Sequence, residues 1–193
     1  MLQQKKEEEA LVIDYMPLGR SLEARKEPIA QVVGTLQFTL LEIATRPELK
    51  MEILEKIYIG REKREKVDHI IKRISYNELT NSAQKELEIA IQKIVEERES
   101  DFVGFFNRAG PINIRCHSLE MLPGIGKKNL TTLLAEREKT PFKSLEEMHQ
   151  RIPHVLDPRQ IIVQRVIEEL KGESKYYLFT KPQMTEEQRF NRR

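Results

Sequence analysis

The sequence predicts an α+β protein: a small N-terminal β-barrel, a bridging helix, an all-α C-terminal domain, and a final strand returning to the barrel. Three observations carry this. β-prone runs crowd the first third of the 193 residues, apolar residues at helical spacing take over from Asn81, and a strand-like run reappears at residues 175–180. The expected organisation is a barrel over residues 1–76 with 174–181 as its closing strand, a helical bridge over 77–110, a helical domain over 111–172 and a disordered tail over 182–193.

The strands come first. Residues 10–16 form a β-prone run ended by Pro17-Leu18-Gly19. Residues 31–43 alternate well enough for one long strand, with Gly34 as a bulge. Residues 50–59 place Met51, Ile53, Ile57 and Ile59 at odd positions, although Leu54 breaks the alternation. Residues 67–74 follow the charged turn Gly60-Arg61-Glu62-Lys63-Arg64-Glu65-Lys66. Four such segments suit a small barrel, since a sandwich needs more strands.

A long helix then begins at Asn81 as its cap. Its apolar face is Ala83, Leu87, Ala90, Ile91, Ile94 and Val95, up to about Arg98. Beyond it, Phe102, Phe105 and Phe106 read as a core seam first and as base-stacking aromatics second.

The most informative stretch is Leu122-Pro123-Gly124-Ile125-Gly126-Lys127-Lys128. Pro123 stops the preceding helical run, and the glycines permit a tight turn. A new amphipathic helix opens directly afterwards, presenting its unpaired N–H groups and positive dipole end. Such a start binds anions, and two lysines flank it. The pattern is a helix-hairpin-helix, with Ile125 as the apolar plug beneath the turn. A C-cap glycine would explain one glycine, but neither the second nor the lysines.

Thr140-Pro141-Phe142-Lys143-Ser144-Leu145-Glu146-Glu147-Met148 resembles the link between the two units of tandem helix-hairpin-helix domains. Ser144 and Glu147 have the spacing of a capping box. The second unit, Ile152-Pro153-His154-Val155-Leu156-Asp157-Pro158, lacks both glycines. Asp157 caps its helix, which makes it a poor anion site.

Composition sets limits. The chain is 39% hydrophobic and 33% charged, with a net charge of +2. Residues 1–109 hold 18 basic and 20 acidic residues, whereas 110–172 hold 10 and 8. The positive excess therefore lies with the hairpins and the tail. One cysteine, Cys116, allows no internal disulfide and suits a reducing cytoplasm. Cys116 reads as a small buried residue. No run approaches a membrane span, and no signal peptide is expected. His69, His117, His149 and His154 lack metal-ligand spacing, so neither metal nor cofactor is expected.

The whole arrangement resembles an archaeal family catalogued as domain of unknown function 655. That resemblance implies an oligonucleotide-binding-like (OB-like) barrel fused to a helix-hairpin-helix domain, and RNA binding. It covers most of the chain, and the family brings no established reaction. Helix-hairpin-helix glycosylases place an aspartate about twenty residues past the hairpin, whereas the first one here, Asp157, stands thirty-one past Gly126. Lys127 and Lys128 suit phosphates better than a Schiff base, which needs a buried lysine.

The expectation is a non-enzymatic, cytoplasmic nucleic-acid-binding protein for RNA or structured duplexes, with no catalytic residues. Gly124, Ile125 and Gly126 donate backbone N–H groups to phosphates, and Lys127 and Lys128 add charge. A secondary basic surface is Arg61, Lys63, Arg64 and Lys66, or else Arg20, Arg25 and Lys26. The rival reading is a protein-interaction module in a ribosome- or repair-associated complex, with an unknown protein partner; a nuclease is the third.

Overall fold

The structure, a computed structural model, describes residues 6–19 and 27–182. Arg20, Arg25 and Lys26, and the tail expected to be disordered beyond Pro182, lie outside the described residues. The chain divides into two compact units, Met1–Ile91 with Glu169–Arg193, and Gln92–Glu168. The division falls inside helix α1 (Asn81–Glu97) and inside helix α5 (Pro158–Lys171), so residues 77–110 are not a separate bridge.

The first unit is built on a five-stranded antiparallel sheet: β1 (Glu9–Met16), β2 (Ile29–Gly34), β3 (Leu40–Thr45), β4 (Lys56–Tyr58) and β5 (Val67–Arg73). The spatial order is β4-β1-β2-β3-β5, and the sheet curls into a half-barrel. β4 is antiparallel to β1, and β5 is antiparallel to β3. Because β1 and β3 run the same way, β4 and β5 also share a direction, on opposite edges. A β4–β5 hairpin closing the barrel would need them opposed, and no ladder joins them among the described residues. Alternate residues Ala10, Val12, Ala30, Val32, Leu41 and Ile43 form one core face with Met51, Ile57, Ile59 and Val67. Each large aliphatic side chain there contributes about 1.5–3 kcal/mol by leaving water.

The single strand expected over residues 31–43 is two strands and a turn. Gly34 ends β2, its N–H donating to the Thr39 carbonyl (2.9 Å). The Glu7 carboxylate accepts from the turn amides of Leu36 (2.8 Å), Gln37 (2.8 Å) and Thr39 (3.1 Å). A Cβ at Gly34 would lie 2.2 Å from the Glu7 carboxyl carbon, so the glycine makes room for that carboxylate. Phe38, at φ 54°, takes the left-handed turn position with its ring buried.

Residues 50–59 likewise keep only β4 as strand. Leu54, where the alternation breaks, turns at φ 64°. It donates to Val12 O (2.7 Å), and Val12 donates to Glu55 O (3.0 Å), beside the register shift in β1.

The cap of α1 falls on Thr80, not Asn81, because Thr80 Oγ1 accepts from the Ala83 amide (3.0 Å). Buried Gln31 reaches across from β2, donating to Glu78 O (3.0 Å) and accepting from the Thr80 amide (2.9 Å). Thr80 Oγ1 in turn donates to Asp14 of β1 (2.6 Å). The sheet thereby holds the start of the helix.

The expected final strand does not form, because no ladder pairs residues 175–180. Their amides go instead to the buried carboxylate of Glu169, which accepts from Leu178 (2.6 Å), Phe179 (3.1 Å) and Thr180 (2.8 Å). Arg73 of β5 also donates to Lys181 O (3.1 Å). The segment is attached to this unit by side-chain bonds.

The second unit continues from α1 into α2 (Glu99–Arg108), α3 (Lys127–Lys139), α4 (Leu145–Arg151) and α5. It is not wholly helical: a hairpin, β6 (Pro111–Asn113) and β7 (Cys116–His117), precedes α3. Phe102 and Phe106 are buried, which takes both away from base stacking and leaves the core reading. Cys116 is only half-buried.

Candidate nucleic-acid interface

The turn at residues 122–128 is assembled inside the second unit. Sequence periodicity suggested an α-helix before it, but the structure gives one 3-10 turn, Ser118–Met121. Little chain is left between β7 and Pro123 for anything longer. His117 caps it: the ring Nδ1 accepts from the Leu119 amide (3.1 Å), while the His117 amide donates to Glu120 Oε2 (2.8 Å). Burial and, secondarily, the Arg137 charge push the His117 pKa below its usual value, with Glu120 opposing. The sequence carried this cap as the His117/Glu120 spacing, which a search for metal ligands overlooks.

The turn itself is narrow. Leu122 and Ile125 are both buried, and the Ile125 amide donates to Leu122 O (3.1 Å). Ile125 is therefore the expected plug, but its amide is committed within the turn and is not offered to a phosphate. Gly124 sits at φ +76°, where an L side chain is strained. Gly126 is different, at φ −83°, ψ 177°, with open space where a Cβ would stand. Folding does not demand a glycine there. As the N-cap of α3 it offers no side chain to the helix's first amides.

Gly124, Gly126, Lys127 and Lys128 are all exposed. Among the described residues, neither lysine carries an ion pair. The α3 amides of residues 127–129 have no acceptor within their own helix. Asn129 braces the turn from behind, its Nδ2 donating to Gly124 O (2.8 Å). Arg137, on the same helix, anchors α3 by donating to the carbonyls of Phe106 (2.9 Å) and Ala109 (2.8 Å) at the end of α2.

The link and the second turn complete the unit. Ser144 Oγ accepts from the Glu147 amide (3.0 Å), but the Glu147 carboxylate bonds the Lys143 amide (2.8 Å), so only half of the capping box forms. Asn107 of α2 clasps the Phe142 backbone by both its amide nitrogen (2.8 Å) and its oxygen (2.9 Å). At the second turn the Val155 amide donates to Ile152 O (3.1 Å). Asp157 Oδ1 then accepts from the Arg159 amide (2.9 Å), filling the start of α5.

The secondary basic surface lies on the first unit and is largely engaged. Lys66 pairs with Glu55, and Arg64 donates to Gly60 O (2.8 Å). Arg61 and Lys63 remain as exposed cations. A cavity of about 340 Å³ beside them is lined by Lys56, Lys63 and Lys66 and equally by Glu55, Glu62 and Glu65. The four basic residues thus do not make one open cationic face.

Among the described residues no group of three His, Cys, Asp or Glu side chains is placed to hold a metal ion. No helix among them is long and apolar enough to cross a membrane.

Residues 6–181 match the family described as "Protein of unknown function (DUF655)". The "Uncharacterized protein MJ0038" of Methanocaldococcus jannaschii is 41% identical over 180 residues, covering 92% of this chain and 82% of its own. The crystal structure of Af1531 from Archaeoglobus fulgidus is similar with a TM-score of 0.85 and 40% identity, over 91% of this chain and all of that one.

Proposed function

The chain belongs to the DUF655 family, and we propose that it is a non-enzymatic nucleic-acid-binding protein that holds phosphates at the turn of residues 122–128. In this reading the turn is a helix-hairpin-helix, and α4 with α5 form its degenerate second copy. The observation that carries the reading is the pairing of an uncapped helix start with two exposed lysines that carry no ion pair among the described residues. The amides of Gly126, Lys127 and Lys128 meet the phosphate oxygens, while Ile125 and Asn129 hold the loop's shape. Gly124 serves the turn through its left-handed φ.

Contacts of this type position a backbone without reading bases, so binding is sequence-tolerant and weakens with salt. RNA and structured duplexes are the ligands, in the cytoplasm. The half-barrel keeps the β1–β2–β3 meander of an OB-like fold, which supports a second nucleic-acid surface there, with Arg61 and Lys63 as its available cations.

Replacing Lys127 and Lys128 together by alanine tests the proposal. Both are exposed, so the melting temperature is expected to stay constant while affinity for RNA and duplex DNA falls. Undiminished binding by the double variant overturns this assignment. A protein-interaction module would bind neither nucleic acid.

A further inference from the structure

We infer that the β6–β7 hairpin is a wedge for duplex nucleic acid, with Ile114 inserting at a base step from the minor groove; this rests on the nucleic-acid reading above and adds the duplex to it. Ile114 is fully exposed and Ile112 is also exposed, an unusual place for two large aliphatic side chains. They are not on a loose loop. Asn113 pairs with Cys116 across a two-residue tip, and Asn113 Oδ1 accepts from the Arg115 amide (2.9 Å). At the base, the Ser118 amide (3.0 Å) and hydroxyl (2.7 Å) both donate to Gly110 O. A strand pair this short is marginal alone, so these bonds hold an apolar tip out in water in one shape.

The chemistry of the tip selects the occupant. Ile114 stands between Asn113 and Arg115. Proteins that enter the minor groove combine Asn or Arg with an apolar wedge that partly unstacks one step. Arg115 is exposed and carries no ion pair among the described residues. Residues 102–135 hold four cations, Arg108, Arg115, Lys127 and Lys128, against one carboxylate, Glu120. That carboxylate is already bonded to the His117 amide. The hairpin is also continuous with the phosphate turn, since His117 ends β7 and caps the 3-10 turn that leads into Leu122. A duplex offers backbone phosphates and a stack that a wedge can open, most cheaply at flexible pyrimidine–purine steps. A single strand offers no such stack.

The test titrates the full-length protein onto a short duplex carrying 2-aminopurine at such a step, and onto its single strand. The parent is expected to raise the 2-aminopurine fluorescence of the duplex. Ile114→Ala should lose that rise and bind duplex about ten-fold more weakly, with single-strand affinity, salt dependence and melting temperature unchanged. Ile114→Leu should restore both signals. If Ile114→Ala matches the parent, or the parent binds duplex without unstacking, the wedge is overturned; the phosphate turn still stands provided Lys127→Ala with Lys128→Ala weakens binding. If the parent binds the single strand but no duplex, the wedge alone falls; if it binds neither, both readings fall.

Discussion

Gly126 and Asp157 hold matching positions just before α3 and α5, and they treat the following helix in opposite ways. Each carbonyl accepts the first bond of its helix, from Leu130 (2.9 Å) and from Ile161 (3.0 Å). Each follows a buried pair, Leu122 with Ile125 or Ile152 with Val155, joined by a 3.1 Å backbone bond. Asp157 spends its carboxylate on the Arg159 amide, whereas Gly126 leaves the amides of α3 open.

Gly126→Asp should therefore convert the first turn into the second. Its side chain meets open space, so the fold is expected to gain about 0.2–0.5 kcal/mol from the new cap. Binding of RNA and duplex should be lost, because the carboxylate fills the phosphate position and repels the ligand. Gly124→Ala should do the reverse, losing about 1–2 kcal/mol of stability at its positive φ. Thermal melts and binding titrations of the two variants separate these roles.

Much of the second unit was legible because its signals are local. Gly124 and Ile125 shape one turn within a few residues of each other, and Ser144 caps its own helix. What escaped was long-range. Gly34 read as a bulge because nothing in its neighbourhood points to Glu7, whose carboxylate caps an amide 29 residues away. The run of residues 175–180 has strand-like composition, yet a buried carboxylate on α5 takes the amides that a ladder would have used.

The Glu7 cradle gives a second expectation. Gly34→Ala pushes a Cβ into the Glu7 carboxyl group, and the loss of its charge-assisted bonds should cost about 1–3 kcal/mol. Glu7→Ala should cost a similar amount, and the double variant little more than either alone. Denaturant midpoints of the three proteins would show full additivity if the cradle contributes nothing.

Glu169 anchors the far end of the chain. Its replacement by glutamine removes the charge from three amide bonds and should destabilise the first unit by about 1–3 kcal/mol. Hydrogen exchange should find the amides of Leu178, Phe179 and Thr180 protected although they lie in no strand. Truncation after Gly172 should destabilise the unit, while truncation after Pro182 should not. Fast exchange at all three amides would contradict the anchor.

His117 sets a pH dependence. Its Nδ1 accepts a bond only when the ring is neutral, and its pKa in the fold lies below the ordinary 6.5. The unfolded chain takes up the proton first as pH falls. Stability is thus complete above about pH 6.5 and declines as pH drops through the folded value. His117→Asn, which keeps an acceptor without a titration, should flatten that decline. Glu78, held at about 2 by Lys72 and lifted somewhat by burial, acts in a separate window, its contribution lost as pH falls from 4.5 towards 2.

The most direct measurement is the salt dependence of binding to labelled single-stranded RNA, duplex RNA and duplex DNA. With Lys127, Lys128 and one or two further cations engaged, log affinity should fall linearly with log salt. For duplex DNA the expected slope is about −2.5 to −3.5, and Lys127→Ala with Lys128→Ala should make it shallower by about two contacts at roughly 0.9 each. Affinity at physiological salt should then be about micromolar. No binding to any of the three ligands at low salt, near about 50 mM, would contradict the account.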